Sequence, residues 1–250
     1  MRVVVAGGTG RTGAEVVARL RAAGHEAVAA ARSTGVDVVT GDGLARALAG
    51  ARVVVDATGT TAGQPEEPLR LFEGGARNLA RAARDAGVAH HLVLSVVGAD
   101  ALPDSPYLRA KLAQEDVVRG AGTPWTVLRA TQFHEFVGTV VEGAYDGRVV
   151  RVSAARMQPV AVDEVADLLA GLAVGAPAGL VELGGPQALP VGDLAARWLA
   201  AHGDPREVVV DPAARYAGAV LQDASLLPGP GARTGTTTFA QWLRTPVGQR

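Results

Sequence analysis

The chain has 250 residues, a formal net charge of −1, 48% hydrophobic and 20% charged residues, and no cysteine. That length can bury one sizeable core or a core plus a small lobe, and the near-neutral charge offers no footprint for nucleic acid or an anionic membrane surface. Disulfides, thiol catalysis and cysteine-ligated metals are excluded; no apolar run approaches the roughly 20 residues that span a bilayer and no signal-peptide pattern opens the chain, so a cytoplasmic protein handling a small molecule is expected.

The first two-thirds of the chain alternates short β-branched runs with Ala/Leu/Arg-rich helical stretches. Strands are predicted at Arg2–Ala6, Glu26–Ala31, Val36–Val39, Arg52–Asp56, His91–Ser95 and Trp125–Leu128. The first five are near-continuous apolar runs, as in parallel strands covered on both faces. Helices are predicted at Thr12–Ala23, Leu44–Ala49, Pro68–Ala86 and Tyr107–Gly120. This alternation predicts an α/β fold, a doubly wound parallel sheet of Rossmann type with helices on both sides. Beyond it, Arg148–Val152 reads as a strand and Asp163–Ala173 as a helix with an Asp N-cap. Leu180–Leu183 reads as a short strand ending at Gly184-Gly185-Pro186, Val191–Ala201 and Phe239–Leu243 as helices, and Pro228-Gly229-Pro230-Gly231 as a turn or loop. Residues 1–150 are therefore expected to form the nucleotide-binding region. Residues 151–250 are expected to form a small C-terminal α+β lobe for substrate, not an independent domain.

The segment Gly7-Gly8-Thr9-Gly10-Arg11-Thr12-Gly13 follows an apolar strand and opens a helix. That context turns a glycine pattern into a dinucleotide fingerprint. Glycine permits the tight turn and the close approach of phosphate, while the helix N-terminus supplies free N–H groups and a favourable dipole. Gly7, Gly10 and Gly13 give the spacing G-x-x-G-x-x-G; the ordinary alternative is a plain strand–turn–helix corner. Sites that prefer NAD place an acid at the end of the second strand to hold the ribose 2′-hydroxyl. Here the chain reads Ala29-Ala30-Ala31-Arg32-Ser33. Arg32 suits a 2′-phosphate, Ser33 adds a hydrogen bond and Arg11 flanks the adenine, so NADP(H) is the expected cofactor. Arg32 also fits an ordinary solvated arginine. Gly41-Asp42-Gly43 falls where an adenine would lie, with Asp42 either accepting from its amine or capping the next helix. Ala57-Thr58-Gly59 falls where backbone passes close to the dinucleotide.

These residues, with Tyr107-Leu108-Arg109-Ala110-Lys111, Pro124-Trp125-Thr126-Val127-Leu128-Arg129, Thr131-Gln132-Phe133, Gln158-Pro159-Val160 and Thr238-Phe239-Ala240-Gln241-Trp242-Leu243, carry a resemblance. The chain resembles the NmrA-like branch of the atypical short-chain dehydrogenase/reductases over nearly its full length. The resemblance implies a Rossmann region with a small C-terminal substrate lobe, usually binding NADP. It does not imply one activity: members reduce quinones, enones or carbonyls, or bind the nucleotide as sensors.

Tyr107 and Lys111 are four apart on a predicted helix and share a face. In the reductase branches such a tyrosine protonates the oxygen that becomes negative as hydride arrives. The lysine holds the nicotinamide ribose and lowers the tyrosine pKa. Lys111 is the sole lysine among 24 Lys and Arg residues, and a compact ammonium suits that role better than a guanidinium fork. A half-buried helix tyrosine and a solvated lysine are the plainer alternative. Ser95 ends a strand 12 residues before Tyr107, one short of the spacing at which related enzymes place a carbonyl-orienting serine; a plain strand-end serine fits as well. Gln132, Phe133 and His134 are expected to line the substrate side of the nicotinamide, with His134 either an acid or a packed side chain. His90 and His91, adjacent on a strand, point to opposite faces, so no metal site is expected. Asn78, the only asparagine, reads as structural in its helix. Three functions follow: an NADPH-dependent reductase of a small or medium carbonyl, enone or quinone; a non-catalytic NADP-binding regulator; or an epimerase or isomerase that retains its cofactor. A small-molecule substrate is expected, without nucleic-acid or membrane partners, and the sequence leaves the oligomeric state open.

Overall fold

The computed structural model describes residues 1–59 and 68–248. In chain order the elements are β1 (Arg2–Ala6), α1 (Arg11–Ala22), β2 (Glu26–Ala30), α2 (Leu44–Leu48), β3 (Val53–Asp56), α3 (Gly75–Asp85), β4 (His90–Val96), α4 (Pro106–Gly120) and β5 (Trp125–Ala130). There follow α5 (Val137–Gly143), β6 (Val150–Val152), β7 (Arg156–Met157), α6 (Val162–Val174), β8 (Gly179–Gly184), β9 (Leu189–Pro190) and α7 (Val191–Ala201). The last are β10 (Val208–Val210), β11 (Arg215–Tyr216), β12 (Ala219–Val220), β13 (Arg233–Thr234) and α8 (Phe239–Trp242).

One parallel sheet of seven strands has the order β13-β8-β5-β4-β3-β1-β2. Apolar β-branched residues set its centre: Val3 pairs with Ala27 on one side and Val53 on the other, and Val53 pairs with His90. The chain leaves β2 at one edge and returns past β1 to β3. That reversal creates the switch point at the carboxyl ends of β1 and β3, where open α/β sheets take their ligands.

By contact the chain divides into two compact units whose segments interleave. Residues 1–95, 109–129 and 163–181 form the first; residues 96–108, 130–162 and 182–250 form the second. The division does not fall at one boundary near residue 150. In the first unit, Val4, Ala6 and Val54 pack against Leu44, Leu48, Leu79 and Ala83 of the helices behind the sheet. Arg19 of α1 ties α6 down through Asp163 and Asp167 while also pairing with Glu15. In the second unit, Val137, Met157, Leu194, Leu199 and Phe239 lie in a core of their own. Three short strand pairs complete it: β6 with β10, β7 with β9, and the β11–β12 hairpin.

Three expectations about elements need correction. Val36–Val39 is not a strand. The Asp37 carboxylate accepts from Val39 N at 2.8 Å, and Asp37 N donates to Asp42 O at 2.9 Å. A local side-chain turn thus takes the backbone groups that a ladder would need. Asn78 of α3 fixes the turn by donating Nδ2 to Val38 O and Val39 O at 3.0 and 2.9 Å, so its role is structural. The helix expected from Asp163 begins a residue earlier, which places Asp163 in its first turn rather than at the cap. The helix expected over 68–86 opens with a π-helical turn, Arg70–Gly74, before α3. Among the described residues, no helix is long and apolar enough to cross a membrane.

Candidate active site

The glycine loop lies at the carboxyl end of β1. Gly7 has φ +73° and donates its N–H to Ala30 O at 2.9 Å. A methyl group there would lie 2.5 Å from Ala57 O. A methyl at Gly8 would come within 2.7 Å of Ala29 Cα, and one at Gly13 within 2.2 Å of Gly7 O. These three glycines are demanded by the protein's own packing. Gly10 is different. Its φ of −78° and ψ of 173° suit any residue, and a methyl would meet only Gly7 O, at 3.2 Å. Gly10 is exposed, and it caps α1 without a side-chain hydrogen bond; no acid occupies the first turn. The first turn of α1 therefore presents backbone N–H groups and the positive end of its dipole beside open space that a side chain would fill. The loop fits the pyrophosphate of a dinucleotide. Thr9 and Arg11 are exposed beside it, and Thr12 is buried.

At the end of β2, Arg32 and Ser33 are exposed on the turn Arg32–Thr34. Thr34 Oγ1 holds that turn by accepting from Ala31 N at 2.9 Å. Ser33 Oγ reaches Thr9 Oγ1 at 3.4 Å, so the arginine turn and the glycine loop are adjacent. Asp42 is exposed and does not cap α2, whose N-cap is Gly43. At the end of β3, Ala57 N donates to Ala6 O at 3.0 Å. Thr58 donates from N and Oγ1 to Asp56 Oδ1 at 3.0 and 2.6 Å, and Gly59 is exposed.

Behind the carboxyl ends of β3, β4 and β5, α4 contributes to a buried polar network. Lys111 Nζ donates to Leu94 O at 2.7 Å and to Gln114 Oε1, and lies 4.5 Å from the centre of the Phe72 ring. Burial lowers its ammonium to about 8, against the opposing pull of Asp56 and Glu115. Gln114 Nε2 continues to Asp56 Oδ2 at 2.8 Å. Ser95 Oγ donates to Glu115 Oε1 at 2.5 Å. Arg129 grips the same carboxylate with Nε and an Nη, both at 2.9 Å, and Arg119 reaches it at 2.8 Å. The Ser95 hydroxyl is thus committed to a protein carboxylate. Asp56, Gln114, Glu115 and Arg129 were not singled out from the sequence. The available signal was the spacing of Gln114 and Glu115 at three and four residues beyond Lys111, which places all three on one helix face. Arg129, inside an apolar strand, was a second.

In the second unit, burial raises the Tyr107 phenol to about 12. The residue is 37% exposed, and solvent screening blunts that rise. Burial also raises the Tyr216 phenol, with Tyr107 adding to the rise and Gln132 opposing it. Gln132 is buried and its amide forms no well-made hydrogen bond, although it lies near the Tyr216 hydroxyl. Phe133 bridges to Val160. His134 is packed: Nε2 lies 2.9 Å from Thr237 O, and its ring lies against Phe239 and Trp242 at 5.5 and 5.8 Å. His90 and His91 are both buried, with no group of three or more metal-ligating side chains among the described residues.

Comparison with known proteins agrees with this geometry. The family described as NAD(P)H-binding matches residues 7–173. A curated relative from Streptomyces griseus, a (4-alkanoyl-5-oxo-2,5-dihydrofuran-3-yl)methyl phosphate reductase, is 33% identical over 162 residues. The match covers 60% of this chain and 54% of that protein, so the chain spans about half the length of this relative. UDP-glucose 4-epimerase of Thermus thermophilus, solved with NAD, shares the fold with a TM-score of 0.72 at 21% identity, covering 100% of this chain and 98% of that one. A dTDP-4-dehydrorhamnose reductase from Clostridium acetobutylicum does so with a TM-score of 0.68 at 19% identity, covering 94% and 95%. With two-thirds of its length matched and the glycine loop inside the match, the chain belongs to the NAD(P)H-binding family, in keeping with its resemblance to the NmrA-like short-chain dehydrogenase/reductases.

Proposed function

We propose that the protein is an NADPH-dependent reductase of a small or medium carbonyl, enone or quinone. The observation that carries this reading is the glycine loop, open to an anion at Gly10 and adjacent to an arginine turn that bears no acid. Gly7, Thr9, Gly10, Arg11, Thr12 and Gly13 hold the pyrophosphate; Arg32 and Ser33 take the 2′-phosphate; Asp42 and Ala57-Thr58-Gly59 flank the adenosine and the dinucleotide backbone. NADPH, when bound, supplies the hydride. Tyr107 then gives its phenolic proton to the substrate oxygen on which negative charge develops; burial raises this phenol, opposite to the lowering by lysine expected from the sequence. Lys111, one turn further along α4, supplies a positive charge and a ribose contact, while Gln132, Phe133 and His134 border the substrate. The Streptomyces relative supports this reading, because a dihydrofuranone carrying an acyl group is a conjugated acceptor for hydride.

One observation favours the non-catalytic alternative. The Lys111 ammonium and the Ser95 hydroxyl are both engaged by protein groups, as a nucleotide sensor would tolerate. The two readings separate in one experiment: NADPH oxidation over a panel of quinones, enones and ketones, followed by single-turnover measurement on Tyr107→Phe. The expected result is turnover of at least one class and a loss of about 10²–10⁴-fold in Tyr107→Phe, with NADPH affinity unchanged. Wild-type turnover by Tyr107→Phe would remove the phenol from the chemistry. No turnover of any class would favour the sensor.

A further inference from the structure

The second unit contains a cavity of about 380 Å³, within the size range of small-ligand sites. Its wall is mainly apolar, with Phe136, Val152 and Leu221 contributing, and it carries two guanidinium groups, Arg151 and Arg215. The charge of Arg151 is balanced, by Asp146 at 3.3 Å and Asp211 at 3.7 Å. Arg215 is not balanced in this way. It donates to Gly218 O at 2.7 Å and pairs with no carboxylate among the described residues. It lies on a short hairpin. β11 and β12 pair Tyr216 with Ala219, and the chain reverses through Ala217 and Gly218, at φ +48° and +91°. Ala217 is the one non-glycine in the left-handed region among the described residues. Positive φ at both central residues is what a two-residue hairpin turn requires. Tyr216, the other residue of β11, lines the same cavity and neighbours Tyr107.

We infer that this cavity binds a small amphipathic anion, with an apolar body against Phe136, Val152 and Leu221 and one carboxylate or phosphate group on Arg215. A guanidinium fork meets either group with paired, charge-assisted hydrogen bonds, whereas a neutral ligand of the same shape leaves it unanswered. Arg215 is then the specificity-determining residue. Taking this ligand as the substrate rests on the reductase reading; binding itself does not require turnover.

The test is calorimetric titration of hexyl phosphate, hexanoate and hexanol into the wild type, Arg215→Leu, Arg215→Lys and Gly10→Val. At least one anion is expected to bind 10-fold or more tightly than hexanol, with the tighter anion identifying the headgroup. Arg215→Leu abolishes that advantage, Arg215→Lys retains part of it, and Gly10→Val leaves it intact because the glycine loop is a separate anion site. Equal binding of hexanol and both anions, or no binding at all, overturns the inference. So does anion binding lost in Gly10→Val and kept in Arg215→Leu, which places the anion on the loop. Anion binding as described, with no NADPH oxidation on any panel substrate, sinks the reductase reading and leaves the cavity standing. The reverse pattern sinks the cavity alone.

Discussion

Among single residues, Arg32 carries the proposed preference for NADP(H). Where an NAD site would place a carboxylate, β2 ends in an alanine run followed by an exposed arginine and serine. A carboxylate accepts from a ribose hydroxyl and repels a phosphate; a guanidinium does the opposite. One charge-assisted hydrogen bond contributes about 1.5–3 kcal/mol, equivalent to a preference of roughly 10- to 150-fold. NADPH is therefore expected to bind more tightly than NADH by that factor, and Arg32→Glu is expected to reverse the order. Calorimetry with both nucleotides checks this. Equal affinities in the wild type would mean that Arg32 is an ordinary surface arginine.

At the level of elements, the sheet was legible wherever burial alone dictates the pattern. Val3-Val4-Val5 and Val53-Val54-Val55 can only be strands covered on both faces, and the glycines after β1 mark the turn that follows. The 36–39 segment has the same apolar composition but carries Asp37, whose side chain competes for the local backbone, and that contest cannot be read from hydrophobicity. The loop side of the candidate site was legible for the same reason as β1: backbone geometry demands glycine. The network on α4 was not, because its buried Glu115–Arg129 pair has no sequence period: Ser95 on β4 and Arg129 on β5 meet Glu115 and Arg119 of α4. That network yields a prediction. Glu115 is fully buried and Arg129 nearly so. Glu115→Gln keeps the shape but removes the negative charge that faces the buried Arg129 guanidinium, which costs about 3–5 kcal/mol. Ser95→Ala leaves the carboxylate with both arginines and should cost only about 1 kcal/mol. Urea midpoints of the two variants give the comparison; a Glu115→Gln as stable as the wild type would show that Arg129 finds another partner.

For the whole molecule, one buried histidine is expected to lower stability toward acid. His91 lies fully buried on β4, and neither ring nitrogen has a hydrogen-bond partner. Burial holds its imidazole down at about 4, with Asp56 pulling the other way and His90 adding to the depression. In the unfolded chain the same ring titrates near 6.5. Above that pH neither state carries the proton, and His91 imposes no pH dependence. Between about 6.5 and 4 the unfolded chain binds a proton that the folded protein refuses, so stability falls as the pH falls, by up to roughly 3 kcal/mol. His90 is depressed by burial as well and pushes in the same direction. Replacing His91 by leucine removes two unsatisfied nitrogens and fills a similar volume, so the variant should equal or exceed the wild type at pH 7.5. Its advantage should then widen on acidification, because the group that drives the loss is gone. Urea unfolding of both proteins at pH 7.5, 6.5, 5.5 and 5.0 measures that gap directly. Parallel curves would mean that His91 finds a way to keep its proton in the folded state, and the acid sensitivity would then belong to the carboxylates alone.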